Sequence, residues 1–371
     1  MSHRIETIAL PAMSPGTQRT LKVHRFGTPG ARPKAYLQAA LHADELPGML
    51  AAHHLLGLLR EAGARGEITG EIVLVPVANP IGLGQNMLTV HAGARYARGG
   101  GDFNRDWPDL FEGLRELVEG QLGGDETANV RVIRAAIADK IACLPNGDEL
   151  SALRQILMGF AYDADIVLDL HCDDEALQHV YMMPQHWPAG SDLAAELGAA
   201  ACLLCDDSGL FCFDETFSLP FTKLRKALSD RLPIPAACFA ATVEFRGQSD
   251  VFDSLAAADA QGLFRFLQRR GLIVGDPGPL PKACKARKLD FVEMVDVPVA
   301  GLIAYKVELG DHVAPDDIVA EIVDPLADDP AKARTPIGTD GGLVLSRCLK
   351  KLAAPGDTIM MIVPDPPVPP S

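Results

Sequence analysis

The stretch AYLQAALHADE, residues 35–45, decides the fold. Ala35 to Leu41 is apolar apart from Gln38, has the length of a buried strand, and runs straight into His42. From Glu45 to Ala62 apolar residues recur at helical spacing, and Glu71 to Val77 is a second apolar strand that stops at Asn79-Pro80. Strand, helix, strand in this order predicts a parallel crossover. Working outward, residues 1–33 alternate in short segments with Pro and Gly punctuation and read as an antiparallel start. Residues 109–160 read as mainly helical. Asp165 to Leu170 reads as a strand ending at His171, Ser191 to Leu204 and Thr222 to Arg231 as helices, Cys238 to Phe245 as a strand and Val251 to Arg270 as a closing helix. The expected fold is therefore α/β: a mixed, largely parallel sheet with helices on both faces.

After Arg270 the pattern changes. Gly271 to Lys288 is rich in Gly, Pro and Lys and reads as a linker. Beyond it only short strands follow, over Phe291–Val297, Gly301–Glu308, Ile318–Ile322, Gly342–Cys348 and Thr358–Val363. The expected organisation is a large domain over 1–285 and a small all-β domain over 286–371. The Pro-rich tail after Val363 is expected to be loose. A chain of 371 residues is long enough for both units.

Bulk properties remove several function classes. The net charge of −15 argues against nucleic-acid binding, which needs clustered cations. Apolar runs such as Ile234 to Val243 are too short to span a membrane, and the N-terminus has no apolar leader core, so no membrane partner is expected. Eight cysteines without a compact framework point to a reduced, cytoplasmic protein. Cys202 and Cys205 form a CxxC, but in an Ala/Leu-rich stretch with no second pair they read as small buried hydrophobes. Homo-oligomerisation stays open.

The chemistry-bearing residues sit at strand ends. His42 and Glu45 are three apart on the turn into a helix and share one face. An imidazole and a carboxylate suit zinc, and a catalytic zinc needs a third protein ligand and an open position. His171 supplies the third, at the carboxyl edge of the sheet, where open α/β sheets collect ligands. Asp169, two residues earlier, shares its strand face and could orient it. Glu244 lies within TVEF, a β-branched and aromatic strand where a carboxylate is costly unless paired or functional. Any one of these features has an ordinary reading, a helix start or a capped strand end; their convergence predicts a metal site on His42, Glu45 and His171, with Glu244 as a functional carboxylate beside it. Asn104-Arg105 offers a planar fork and a neutral donor for a carboxylate, against the plainer reading of a surface Arg paired with Asp102 or Asp106. His53 and His54 read as split between core and surface, His179 and His186 read as structural, and His91, just before the Arg95 loop, could touch substrate but reads better as structural.

Four motifs in order, HADE (42–45), GDFNRDWP (101–108), DLHC (169–172) and VEFRG (243–247), resemble the succinylglutamate desuccinylase/aspartoacylase family, relatives of the zinc carboxypeptidases. The resemblance covers roughly residues 30–270, the span of one large domain. It implies one zinc on the residues matching His42, Glu45 and His171, a general base matching Glu244, and a substrate-carboxylate pair matching Asn104 and Arg105. It also implies an upstream Arg that polarises the scissile carbonyl, for which Arg95, followed by Tyr96, is preferred over Arg98. The implied substrate is a small N-acyl amino acid. In the C-terminal part, PVAGLIAYKVELGDHVAPDDIVAEI resembles biotinyl/lipoyl domains, yet the attachment Lys is missing: the matching stretch reads DPLADDPAKARTP and Lys332 is displaced. A lipoyl-like barrel without a swinging arm is expected, shaping the mouth of the site. Tyr305 could reach that site but reads better as barrel packing. A carboxypeptidase acting on peptides is the nearest alternative, disfavoured because Leu219 to Leu228 contains no substrate-facing Tyr. A non-catalytic metal-binding protein of the same fold would need no base beside the metal.

Overall fold

The structure is a computed structural model that describes residues 3–228 and 231–365. The chain opens with β1 (Arg4–Ala9) and β2 (Thr20–Gly27), paired antiparallel as expected, and continues with β3 (Lys34–Ala39), α1 (Leu46–Ala64) and β4 (Glu71–Val75). A short helix α2 (Pro80–Leu83) and a small hairpin, β5 (Asn86–Met87) and β6 (Val90–His91), precede α3 (Leu114–Val118), α4 (Glu126–Ala142) and α5 (Glu149–Ala161). Then come β7 (Ile166–Asp173), β8 (Glu175–Ala176), β9 (His179–Met182), α6 (Ser191–Leu197), β10 (Ala201–Leu204), α7 (Glu215–Ala227), β11 (Phe239–Gly247), α8 (Asp253–Arg269) and β12 (Ala286–Lys288). Residues 229–230 of the expected Thr222–Arg231 helix and most of the Pro-rich tail, 366–371, fall outside the described residues.

Nine strands form one sheet in the order β1-β2-β4-β3-β7-β11-β9-β10-β12. β4, β3, β7 and β11 run parallel, as do β9, β10 and β12; the sheet is antiparallel at β1-β2-β4 and between β11 and β9. Alternation along β7 explains both cores. Ile166, Leu168 and Leu170 face α1, α6 and α8, while Val167 faces the opposite layer of α3, α4, α5 and α7. Asp169 and His171, at the same alternation as Val167, project on that second face.

Four expectations are corrected. Residues 199–204 do not continue a helix: Gly198 takes φ 65° as a left-handed stop, and Ala201–Leu204 is β10. β7 does not end at Leu170 but runs through Asp173, so His171 lies inside the ladder. The helix read over Thr222–Arg231 starts earlier, at Glu215, and stops earlier, at Ala227. Residues 286–288, assigned from the sequence to the second domain, pair with β10 at the edge of the large sheet.

The rest of the chain, β13 (Glu293–Asp296), β14 (Gly301–Tyr305), β15 (His312–Val313), β16 (Ala320–Val323), β17 (Arg334–Ile337), β18 (Gly342–Arg347), β19 (Leu352–Ala353) and β20 (Thr358–Val363), forms two antiparallel sheets, β13-β20-β18-β15 and β17-β16-β14-β19. Val295, Ile303, Ile322, Val344 and Ile359 pack between them. This all-β unit docks on the large one in two ways. Ala201 and Leu203 of β10 pack with Val292, Leu345 and Val363, and β8 adds to β18 through Ala176↔Ser346 and Glu175↔Arg347. Tyr305 stays within the β unit, its hydroxyl donating to the Ile359 carbonyl at 2.8 Å. No helix of the described residues is long and apolar enough to cross a membrane.

One buried group gives the large unit a pH-dependent stability. His186 is 5 % exposed, packs edge-on against Phe239 at 5.1 Å, and its Nε2 has no partner among the described residues. Burial, with Arg270 and Arg225 nearby, pushes its pKa down to about 4. The unfolded chain, with an ordinary imidazole, takes up the proton first as pH falls. The associated stability is therefore complete above about pH 6.5 and is lost progressively toward pH 4, by about 2–3 kcal/mol. Denaturant titrations at pH 7.5 and 4.5 should record this loss and a shallower one for His186→Gln; equal losses would rule the residue out.

Candidate active site

His42 and His171 are brought together by the crossover β3-α1-β4 and by β7. After β3 the chain turns through Ala40, held at φ 60°, and presents His42; Asn79 fixes this turn by donating from Nδ2 to the Leu41 carbonyl at 2.8 Å. Glu45 is the residue before α1, and Pro47 in the first turn suits the helix start. Gly48 then lets α1 approach β7, since a Cβ there would stand 2.8 Å from the Leu170 carbonyl oxygen. The result is a carboxylate between two imidazoles: Glu45 Oε1 is 2.8 Å from His42 Nδ1, and Oε2 is 2.7 Å from His171 Nδ1 and accepts from the Cys172 amide at 3.1 Å. The three ligand-type atoms lie within 4.8 Å of one another.

The far nitrogens of both rings meet carboxylates. His42 Nε2 is 2.7 Å from Asp102 Oδ1, and His171 Nε2 is 3.0 Å from Asp169 Oδ2. Asp169 is fully buried and accepts from Gln38 Nε2 at 3.0 Å; Gln38 in turn accepts from the Tyr36 hydroxyl at 2.7 Å. This arrangement turns both Nδ1 atoms toward Glu45, a donor set that could hold a metal ion, with the ring orientations fixed from behind. Burial opposes charge on His42, but Asp102 and Glu45 outweigh it and raise its pKa to about 9. His171 is likewise held well above the usual range, against burial, by Asp169 and Glu45, and Glu45 is held down to about 2, against burial, by the two imidazoles.

Glu244 is the register partner of His171 on the neighbouring parallel strand. Its Oε2 has no hydrogen-bond partner among the described residues, although buried. Burial pushes its pKa up to about 8; His171 and His42 oppose this, and Glu45 and Asp173 reinforce it. An unpartnered carboxylate of this kind beside a cation site can accept a proton.

These residues open on a cavity of about 370 Å³. Arg105 lines it, donating to its neighbour Asn104's carbonyl at 2.8 Å and pointing at Cys212 Sγ at 3.6 Å. Among the described residues no carboxylate pairs with Arg105, so the plain surface-pair reading does not hold; Asp102 serves His42 instead. Arg154 of α5 supports the motif from below, donating to the Arg105 carbonyl at 2.7 Å and the Asp106 carbonyl at 2.9 Å. Asn104 accepts from the Phe213 amide at 2.8 Å and lays its Nδ2 3.4 Å from His171 Nε2. Arg95 and Arg98 are not brought to the cavity. The tight turn in which Gly100 N and Gly99 N bond back to the Tyr96 carbonyl leaves both side chains exposed, which corrects the expectation for Arg95 and Arg98. Among the five histidines set aside, none lines the cavity.

Sequence reading missed part of the wall. Tyr181 and Met182 come from β9, Cys205, Ser208 and Cys212 from the segment before α7, and Leu289 and Met361 from the C-terminal region. Tyr181 stands opposite Thr242 in the antiparallel β11-β9 pair, and its sulfur contact with Met361 joins the two units at 4.0 Å. A larger cavity, about 860 Å³, lies at the opposite, amino end of the strands. There Arg32 and Arg134 are paired with Asp163 and Asp165, and no ligand-type cluster is present among the described residues, so it carries less chemistry than the smaller one.

Fold and site together define an α/β protein with a candidate metal centre and a buried carboxylate at the carboxyl edge of its sheet. The chain belongs to the succinylglutamate desuccinylase/aspartoacylase family: the profile of that family's catalytic domain matches residues 31–269. Its members are deacylases that act on N-acyl amino acids. A protein of Shewanella frigidimarina NCIMB 400 assigned to succinylglutamate desuccinylase/aspartoacylase has a similar structure, at TM-score 0.84 and 20% identity, over 98% of this chain and 97% of the other. A family protein from Shewanella amazonensis SB2B gives TM-score 0.82 and 23% identity over 97% and 98%. The product-bound ectoine utilization protein of Ruegeria pomeroyi gives 0.64 and 17% over 96% and 94%. These identities establish likeness of fold. No curated protein matches the sequence.

The raised His42 pKa is a direct test of this geometry. In metal-free protein the His42 ring should titrate near pH 9 by NMR. Asp102→Asn removes the carboxylate that raises it, so the midpoint should fall by about one pH unit or more. An unchanged midpoint would mean that the His42–Asp102 contact does not form in solution.

Proposed function

We propose that this chain hydrolyses the amide bond of a small N-acyl amino acid, using one zinc ion held by His42, Glu45 and His171. The observation that carries the reading is the convergence of two imidazole nitrogens and a carboxylate on one point, with the unpartnered Glu244 carboxylate on the adjacent strand facing the same cavity. A zinc ion in that position would acidify a water and polarise a carbonyl. The rest is done by the chain's own groups. Asp102 and Asp169 keep Nδ1 of each ring available to the cation. Glu244, as the carboxylate, takes a proton from the attacking water and delivers it to the departing amine nitrogen, ending in its starting state. Arg105, the arginine that lines the cavity, receives the carboxylate of the substrate, and Asn104 holds the loop that presents it. The modest cavity suits a small acylated acid better than a peptide chain.

The lipoyl-like reading of the C-terminal unit goes with a wall rather than a carrier. Lys332 sits in a one-turn helix over Pro330–Lys332 beside Asp329, while Leu289 and Met361 line the cavity. Eight unpaired cysteines are in keeping with a reducing, cytoplasmic setting.

Metal analysis of the purified protein should find about one divalent ion per chain. Glu244→Gln should keep that ion and lose roughly a hundredfold or more in turnover on N-acyl amino acids, because an amide cannot accept the proton. Turnover within tenfold of the wild type would remove Glu244 as base.

Arg105→Ala should act on binding instead. Losing a charged hydrogen bond is worth about 1.5–3 kcal/mol, a ten- to hundredfold rise in KM for acylated acids and little change for their carboxamides. Equal hydrolysis of acid and carboxamide by the wild type would show that no carboxylate pocket exists.

A further inference from the structure

Glu244 is the last regular residue of β11 on both sides. Toward β7 the pairing reaches Glu244↔His171 and resumes out of step at Gly247↔Asp173; toward β9 it ends at Glu244↔His179. The irregularity centres on Arg246, whose φ is 61°. That left-handed conformation is unfavourable for a residue with a Cβ and persists where the surroundings over-determine it. The surroundings here are specific. Arg246 Nη1 donates to Asp259 Oδ1 at 3.1 Å and Nη2 donates to Asp259 Oδ2, a fork on a buried carboxylate of α8. Nη1 also donates to Gln178 Oε1, in the link between β8 and β9. The next residue, Gly247, lies so close to Asp174 that a Cβ would stand 2.9 Å from its carbonyl oxygen, and Gln248 N donates to that same oxygen at 2.9 Å.

One guanidinium thus ties the end of the Glu244 strand to α8 and to the segment that leaves His171 and returns as Tyr181. Arg246 itself does not line the cavity. We infer that Arg246, clamped by Asp259 and Gln178, is a positioning residue for Glu244: it locks the bulge that sets the direction in which the carboxylate enters the cavity. This rests on Glu244 acting as the base. Substrate binding is governed from another loop, by Arg105, so loss of the clamp acts on turnover and leaves binding nearly intact.

The test uses the full-length, metal-loaded protein with Arg246→Gly, which keeps the left-handed backbone accessible while deleting the fork, and Asp259→Asn, which keeps the shape and deletes the charge. Both variants should retain one metal per chain and a KM within about threefold, while kcat falls roughly ten- to a hundredfold. Affinity for a tetrahedral phosphonate analogue should weaken by the same factor, with affinity for the product amino acid unchanged; mere loss of folded enzyme would lower the number of binding sites and leave both affinities alone. Hydrogen exchange should accelerate at residues 244–248 and 174–178. Unchanged exchange at those residues, or kcat within twofold of the wild type, overturns the inference. Because exchange needs no turnover, a wild-type protein inert toward every N-acyl amino acid would overturn the functional reading, and exchange alone would then decide whether the clamp exists.

Discussion

The contact on which the site depends is the carboxylate of Glu45 lying between His42 and His171. It joins the turn after β3 to the interior of β7, residues far apart in sequence, and it also receives the Cys172 amide. A buried carboxylate without partners would be costly, and two imidazoles plus one backbone donor offset that cost. The contact is possible only because α1 approaches β7 closely at Gly48 and because the ladders β3-β7 and β7-β11 share a register. Gln38↔Asp169 and Glu244↔His171 then fall on the same face of the sheet. Register sets the chemistry here: a slip of one residue in β7 would point Asp169 and His171 into the apolar layer under α1.

Electrostatics explains why this corner suits a cation. Glu45, Asp102, Asp169, Asp173 and Glu244 surround two imidazoles, and in the absence of a metal the rings answer by holding protons. A divalent ion offers the same compensation at one point and would displace those protons, so ion binding and ring deprotonation are linked. The chain as a whole carries −15, whereas the cavity is lined by the cationic Arg105.

Much of this could be read from the sequence because polar residues stand out where an apolar strand pattern breaks. His42 stops the run 35–41, and His171 and Glu244 break the patterns of β7 and β11, against a period-two background. What escaped reading depends on tertiary context. Ala199 to Leu204 has the composition of a helix, and only pairing to β9 and β12 makes it a strand, although the left-handed Gly198 was a signal. Arg95 and Arg98 lie in a glycine turn whose internal hydrogen bonds, invisible in composition, face them outward. Asp102 was weighed as a partner for its neighbour Arg105, yet a turn bond from the Asn104 amide to Oδ1 aims it at His42. Tyr181, Leu289 and Met361 belong to elements that meet only after the two units dock.

That docking gives the C-terminal unit a structural reason to matter to the site. β7 carries His171, passes through Asp173 and Asp174, forms the two-residue β8, and returns as β9 with Tyr181. β8 is held by β18, the Leu349 amide donates to Asp174 Oδ2 at 2.9 Å, and Lys351 reaches Glu175 at 2.8 Å. The short link between a ligand-type histidine and a wall tyrosine is thus braced on one side by the second unit and on the other by the Arg246 fork through Gln178. Loops near reacting groups need such bracing, because side chains misplaced by about 1 Å can forfeit much of a rate. A catalytic unit separated from its β partner would keep the His–Glu–His contact, which lies within the large sheet, but would lose Met361 from the wall and one of the two braces on the Tyr181 strand.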